Sequence, residues 1–263
     1  MEIRFTQLQC SSSSVTVDIN DWVIEPQQSW GVFSTEGDVG ALLGQLLTQQ
    51  IDAQTLTYSG DIIGVTPASV ALVSLLEQQS LLEAILEQDD SESLGYTDPK
   101  TTVFGVVFNQ CHDNDLTHQL LQQLDLTHLS LSPFAQLSTG EGRRVMLARA
   151  VATQVPFLVL DEPYAGLDVA HRQTLTEYLQ QLSQTKQILV VVSREEDMPD
   201  WIEHVAMFSH GKLDSMMTKL QWDNHPVIAQ LTAQAGQQSD DILALIRRHR
   251  HKPLFANPVF QLN

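Results

Sequence analysis

Between Leu137 and Asp168 the chain carries a run that constrains its fold more than any other: a helix start, a helix, and an apolar strand that ends on two acids. Ser138 and Glu141 have the S-x-x-E spacing of a capping box, in which a hydroxyl and a carboxylate satisfy the free N–H groups of a first turn. Val145, Met146 and Ala150 then give an apolar face to a helix predicted over Ser138 to Thr153. Phe157-Leu158-Val159-Leu160 has no polar interruption, as a strand buried on both faces requires, and Asp161 and Glu162 close it. The alternation continues with a helix over Val169 to Ser183 and a strand over Ile188 to Val192. Helix and strand in turn imply an α/β fold with a mostly parallel sheet covered by helices.

The flanking segments extend this pattern. From Ile3 to about Ile63, short apolar runs between polar clusters predict N-terminal β-strands, with a turn at Ser11 to Ser14 and period-two alternation from Val15 to Ile19. Ser29-Trp30-Gly31-Val32-Phe33 leads into a loop, and Ala41, Leu42, Leu43, Leu46 and Leu47 have helical spacing, so strand, loop and helix follow one another across residues 30 to 49. A nucleotide-binding unit begins in this way. From Ser69 to about Gln123 the pattern is helical and rich in Leu and Gln, broken by a polar stretch at Asp89 to Lys100 containing Gly95 and Pro99. We read it as an inserted helical sub-domain. In the tail, Ser239 caps a predicted helix that opens on Asp240 and Asp241, ends with Arg247, Arg248, Arg250 and Lys252, and stops at Pro253. Pro258 to Asn263 resembles the opening Phe5 to Gln9, as though a second unit were about to start.

Length and charge narrow the function. A chain of 263 residues suits one large domain with a sub-domain or tail. Fourteen Lys and Arg against 32 Asp and Glu leave a net charge of −18, which repels phosphate backbones and argues against a nucleic-acid or anionic-membrane surface. No apolar signal core opens the chain and no apolar run approaches the ~20 residues of a membrane span, so the expected location is cytoplasmic. Cys10 and Cys111 have no C-x-x-C spacing and read as two reduced thiols.

Two chemistries fit the central run. Ser138 and Glu141 can simply cap a helix, but Gly140 inside the first turn costs helix stability and lets another group approach the backbone. A helix start with a free hydroxyl and bare N–H groups is an anion site. Asp161 and Glu162, at the carboxyl end of a strand, lie where parallel sheets bind ligands, and adjacent acids repel unless a cation or water network separates them. Mg²⁺ is the expected cation, held by Asp161, with Glu162 orienting a water for attack on a phosphate. Asp168, after the turn Tyr164-Ala165-Gly166-Leu167, is also a plausible helix N-cap.

The run resembles the ATP-binding-cassette (ABC) ATPases, a P-loop NTPase-like fold. Leu137, Ser138, Thr139, Gly140 and Glu141 look like their signature motif, Phe157 to Glu162 like the Walker B strand with its catalytic glutamate, and Ala165 to Asp168 like the D-loop. Glu141 in the signature, and Ser193-Arg194-Glu195-Glu196-Asp197-Met198-Pro199-Asp200-Trp201 further on, are similar to the first cassette of tandem molybdate-transport ATP-binding proteins; Gly211-Lys212-Leu213 looks like the end of their last core strands. The close match covers about residues 130 to 213. It implies a core at residues 1–68 plus 136–215, a helical sub-domain at 69–135, and a tail or linker to a missing second cassette at 216–263.

The departures are equally informative. The family's phosphate loop is G-x-x-x-x-G-K-[ST], whose N–H groups cradle phosphate, whose Lys neutralises it and whose hydroxyl binds Mg²⁺. The corresponding window is Ser34-Thr35-Glu36-Gly37-Asp38-Val39-Gly40-Ala41, where only Gly37 survives, Gly40 stands for the Lys and Ala41 for the hydroxyl. A charge-assisted hydrogen bond is worth ~1.5–3 kcal/mol, so loss of the Lys alone weakens binding about tenfold to a hundredfold. No ring stands near residues 11 to 15 to stack on adenine, Ser193 or Arg194 stands where the switch histidine belongs, and no glutamine lies at Ala68 or Ser69.

In this family two cassettes meet head to tail, so each ATP lies between one phosphate loop and the other cassette's signature. The resemblance therefore implies ATP and Mg²⁺ as cofactors, binding of both in this chain's own degenerate Walker A site being doubtful, and ATP hydrolysis coupled to transport. It also implies action in trans with a second cassette, homologous or covalent, and through it with a membrane permease peripheral to which the protein would lie at the inner membrane. The alternatives are an active stand-alone Mg-ATPase subunit and a non-catalytic regulatory module.

Overall fold

The computed structural model describes residues 1–12, 15–35, 39–49, 57–88, 99–226 and 228. Apolar residues alternating with polar ones make β1 (Ile3–Ser11) and β2 (Thr16–Ile24) an antiparallel pair with one buried face. That face slips by one residue in both strands, from Phe5 to Leu8 and from Trp22 to Ile19, so all four side chains stay inside. Phe5 stacks on Trp22 with ring centroids 5.0 Å apart, and Trp22 meets Trp30 edge-on at 5.4 Å. These rings hold the N-terminal strands against the rest of the sheet, since buried aromatic pairs contribute beyond their area. The expected turn at Ser11 to Ser14 is supported by Ser12 N–H donating to Val15 O at 2.8 Å; Ser13 and Ser14 lie outside the described residues.

Trp30 begins β3 (Trp30–Phe33), which is followed by α1 (Val39–Thr48), two residues longer at its start than the Leu spacing indicates. β4 (Thr57–Ile63) returns antiparallel to β1 and forms one outer edge of the sheet. Its ladder is irregular between Thr6 and Gln9 of β1, where Gln7 has φ +48° and faces Gly60 at φ +88°. A Cβ on Gly60 would lie 2.2 Å from the Gln7 carbonyl, so only glycine fits.

The helical reading from Ser69 is corrected at its start. Val70-Ala71-Leu72-Val73 is strand β5 (Val70–Val73), paired parallel with β6 (Phe157–Asp161) along Val70 to Val73. Its β-branched ends and the Pro67 turn before it favour extended chain, and its pairing with β6 overrides the Leu periodicity that continues beyond it. Helical structure therefore begins at α2 (Leu75–Gln88), whose first turn is steadied by Ser74 Oγ accepting from Glu77 N–H at 3.1 Å. Residues 89–98 lie outside the described set; α3 (Val103–Cys111) and α4 (Asn114–Gln123) follow, capped by Thr102 and Asp113.

α5 (Thr139–Ala152) packs on α2, α3, α4 and β5 and is buried on almost every side, Arg143 and Arg144 included. α6 (Val169–Leu182) leads to β7 (Gln187–Val192), then β8 (His204–Ser209) and β9 (Lys212–Thr218) form a hairpin. Among the described residues, nine strands form one sheet in the order β4-β1-β2-β9-β8-β3-β7-β6-β5. From β8 to β5 the pairs are parallel; the N-terminal wing is antiparallel. This is the α/β architecture the motifs imply, with the antiparallel wing added.

Met1–Lys219 is one compact unit and Leu220–Asn263 a second, at whose start lies α7 (Lys219–Asp223). The helix expected from Ser239 and the Pro258 to Asn263 segment lie outside the described residues. Among the described residues, no helix is long and apolar enough to cross a membrane.

Candidate functional site

β3, β7 and β6 are neighbours and parallel, so their carboxyl ends bring Ser34, Ser193, Asp161 and Glu162 to one rim of the sheet. Ser34 N–H donates to Val192 O at 3.1 Å and Glu162 N–H to Val191 O at 3.0 Å, which carries the ladder one residue past each strand. Ser34 is buried. Gly37 lies outside the described residues, as do Glu36 and Asp38. Gly40, in the first turn of α1, stands directly against Asp161. A Cβ built on it would lie 1.9 Å from Asp161 Oδ1, 2.8 Å from its Cγ and 2.9 Å from Val191 Cγ1. The next residue, Ala41, is half-buried and offers no hydroxyl.

Glu162 has φ +50°, the left-handed region, which costs a non-glycine residue about 1–2 kcal/mol. Three hydrogen bonds hold it there. Besides its own N–H bond to β7, its carbonyl accepts from Ala165 N–H at 3.2 Å and from Arg143 Nη1. Arg143 is 6% exposed and comes from the second turn of α5. Burial pushes its guanidinium pKa down, while the charges of Asp161 and Glu162 act against that. Motif reading had passed over Arg143. The signal was there: Arg143 and Arg144 are adjacent cations in a helix that from Val145 onward is apolar except for Arg149, so at least one needs an internal partner.

The helix start at Ser138 is the capping box that the spacing predicts. Ser138 N–H donates to Glu141 Oε2 at 2.8 Å and Glu141 N–H to Ser138 Oγ at 3.4 Å. The hydroxyl is not free as the anion-site expectation required, because it donates to Glu141 Oε2 at 2.6 Å. The two Ser138 hydrogen bonds hold the Glu141 carboxyl below its usual range. Ser138 and Thr139 are exposed, and Leu137 and Gly140 are half-buried. Gly140 touches the turn that precedes Asp168: a Cβ there would lie 3.1 Å from Gly166 O and 3.2 Å from Leu167 Cδ2.

Asp168 caps α6, accepting from His171 N–H at 2.9 Å. His171 also joins elements, with Nδ1 2.9 Å from Asp168 Oδ2 and Nε2 3.7 Å from Asp125 Oδ2. Where the resemblance places a switch histidine, Ser193 is half-buried and Arg194 turns to carboxylates of its own segment. Arg194 Nη2 lies 2.9 Å from Asp197 Oδ2 and Nη1 3.0 Å from Glu196 Oε1. The Asp197 side chain is 1% exposed and also binds Arg172, which lies over the Tyr164 ring 5.5 Å from its centre. The fold thus gathers two groups: Gly40, Asp161, Glu162 and Arg143 at the sheet rim, and Ser138 to Glu141 with Asp168 around the α5 start. Among the described residues, no three His, Cys, Asp or Glu side chains converge as a metal site would require.

Comparison with known proteins bears on both groups. A family model described as ABC transporter matches residues 34–165, half of the chain. The ABC transporter ATP-binding protein ModF of Escherichia coli (strain K12) is 26% identical over 223 residues, covering 84% of this chain and 44% of that protein. The molybdate import ATP-binding protein MolC of Haemophilus influenzae is 34% identical over 85 residues, covering 32% of this chain and 34% of that one. The chain thus spans less than half the length of these curated relatives. Among solved structures, a nucleotide-free ATP-binding cassette from an ABC transporter superposes with a TM-score of 0.62 at 14% identity, over 88% of this chain and 99% of that one. A bacterial Atm1-family ABC exporter with ATP bound gives 0.67 at 13% identity, over 89% of this chain and 41% of that one.

Proposed function

The chain belongs to the ABC transporter family, and from that membership we propose that it is an ATP-binding cassette whose own phosphate site is degenerate and whose signature helix serves a nucleotide held by a second cassette. One observation carries the reading. The residue at the Lys position, Gly40, is packed on Asp161 so closely that not even a Cβ fits, so the entry to α1 is occupied by the chain's own carboxylate. ATP and Mg²⁺ are the family's cofactors, but the residues here do not fit them: there is no Lys or hydroxyl at 40 and 41, and Asp161 is turned into the space a phosphate-loop side chain would use. The helix start at Ser138, by contrast, is open to solvent and backed by Gly140 and the D-loop.

On this reading the chain's 44% share of ModF is the share one cassette of two would take. The second cassette supplies the Lys, the metal ligands and the catalytic acid, and a permease completes a transport system at the inner membrane, to which this cytoplasmic protein is peripheral. Its helical sub-domain starts after β5, which belongs to the core sheet, and runs from 74 to 135, and its tail or linker starts after β9. Calorimetry with Mg-ATP tests the first half of the proposal: the natural chain should give no heat of binding at millimolar ligand, and micromolar affinity would refute it. The second half is tested in the two-cassette assembly. Ser138→Arg, a side chain too large for a cassette seam, should lower ATP hydrolysis at least tenfold, and unchanged hydrolysis would refute the trans role.

A further inference from the structure

We propose that a cavity bounded by the end of α1, by β5 and by the helices α2, α3 and α5 is a binding site for a small zwitterion of the α-amino-acid type with an apolar side chain. The cavity has a volume of about 420 Å³, within the range of small-molecule sites, and shares no residue with either group described above. Two opposite charges line it from different helices, Arg149 in the last turn of α5 and Glu77 in the first turn of α2. Arg143 and Arg144, on the same helix as Arg149, are committed to backbone carbonyls. The Arg149 guanidinium, by contrast, makes no hydrogen bond or ion pair among the described residues. The Glu77 carboxylate makes none either, although its backbone N–H is fixed on Ser74 Oγ. Burial lowers the Arg149 pKa and the Glu77 charge acts against that, so the two side chains influence each other without pairing.

The rest of the lining decides what fits between them. Gln110 of α3 and Gln49, directly after α1, add two amides, each able to donate and to accept. Val70 of β5 and Met146 of α5, both buried, supply an apolar wall. A simple anion would be attracted by Arg149 and repelled by Glu77, and a simple cation the reverse. A wholly apolar molecule would strip water from both charges and give nothing back. A molecule that carries a carboxylate and an ammonium together meets each charge with its opposite, and its apolar side chain has Val70 and Met146 to pack on. Seated there, it joins α2 to α5 where the chain itself leaves them unpaired.

Thermal melting of the full chain tests this, with L-leucine as the probe and without nucleotide or a second cassette. The natural protein should melt about 2 °C higher or more in millimolar leucine. It should ignore isoamylamine and isocaproate, which are leucine without its carboxylate and leucine without its ammonium. Glu77→Gln should lose the leucine response and gain one to isocaproate, since Arg149 then stands alone. Arg149→Gln should lose the leucine response and gain one to isoamylamine. A merely structural role for either residue would not exchange one ligand for another. If Arg149→Gln does not fold, the Glu77→Gln results decide alone, because Glu77 is only half-buried at a helix start. A natural protein that does not respond to leucine, or responds as strongly to either half-molecule, overturns the proposal. So does a folded variant that keeps the leucine response or does not make the exchange.

Discussion

Placing a single methyl group at residue 40 tests the contact on which the nucleotide argument turns. In Gly40→Ala the new Cβ meets Asp161 Oδ1 at 1.9 Å, its Cγ at 2.8 Å and Val191 Cγ1 at 2.9 Å unless these atoms move. Overpacking of this kind costs ~1–3 kcal/mol. Replacing glycine by alanine within a helix returns up to about 1 kcal/mol of propensity, less in the first turn than in the interior. The net expectation is a loss of about 1–2 kcal/mol, which for a chain of this size lowers the melting temperature by roughly 2–8 °C. The contact is specific, so the loss should depend on Asp161. In an Asp161→Ala background the Oδ1 and Cγ clashes vanish and only Val191 remains, and Gly40→Ala should then cost less than about 0.5 kcal/mol. Urea denaturation of the four proteins of this cycle gives the coupling directly. An equal cost in both backgrounds, or no cost in either, would refute the packing of Gly40 on Asp161, and with it the claim that the chain's own carboxylate closes the entry to α1.

Three further outcomes follow from other parts of the site. Glu141 is held below its ordinary pKa of 4.5 by Ser138, so its share of stability is present above that value and is lost as pH falls through the lower folded value; urea midpoints of Glu141→Gln should show a flatter acid limb than those of the natural protein, and identical limbs would count against the capping box. Burial pushes the Tyr178 phenol up to about 12 against an ordinary value of 10.0, so the unfolded chain releases this proton first and stability falls as pH rises between those values. Burial raises the Tyr164 phenol as well, so at least two of the four tyrosines should ionise late in an absorbance titration, and Tyr178→Phe should remove one of those late steps and leave the other. Around Asp197, Arg172→Ala should cost more than Arg194→Ala, about 2 against about 1 kcal/mol, because its side chain is 29% exposed against 53% and also covers Tyr164; equal losses by denaturation would contradict the ranking.

What could be read in the chain beforehand was local. The capping box of Ser138 and Glu141, the apolar strand that ends at Asp161 and the cap at Asp168 all depend on residues within four positions of one another, and each formed as its spacing implies. β5 was misread because four residues are too few for period to separate strand from helix, and its pairing partner lies 87 positions away at Phe157. The left-handed Glu162 and the anchor from Arg143 were invisible for a similar reason: both depend on which helix passes under the turn. The Gly40 substitution was visible as a missing lysine, yet its physical meaning, a carboxylate seated against the backbone, needed β6 and α1 side by side.

The outer strand β4 has a further consequence, for how copies of this protein behave toward one another. Among the described residues it is an edge of a nine-stranded sheet, with Tyr58 45% and Ile63 59% exposed at either end, the kind of border onto which a second molecule could add a strand. Midway along it, Gly60 at φ +88° and Gln7 at φ +48° on the strand behind interrupt the regular pleat. A bulge there increases local twist, so an incoming strand would find only short stretches in register. With a charge of −18 on every copy, approach edge to edge is opposed at long range as well as at contact. One glycine and the acidic charge thus both oppose edge-to-edge association, independently of anything the molecule binds.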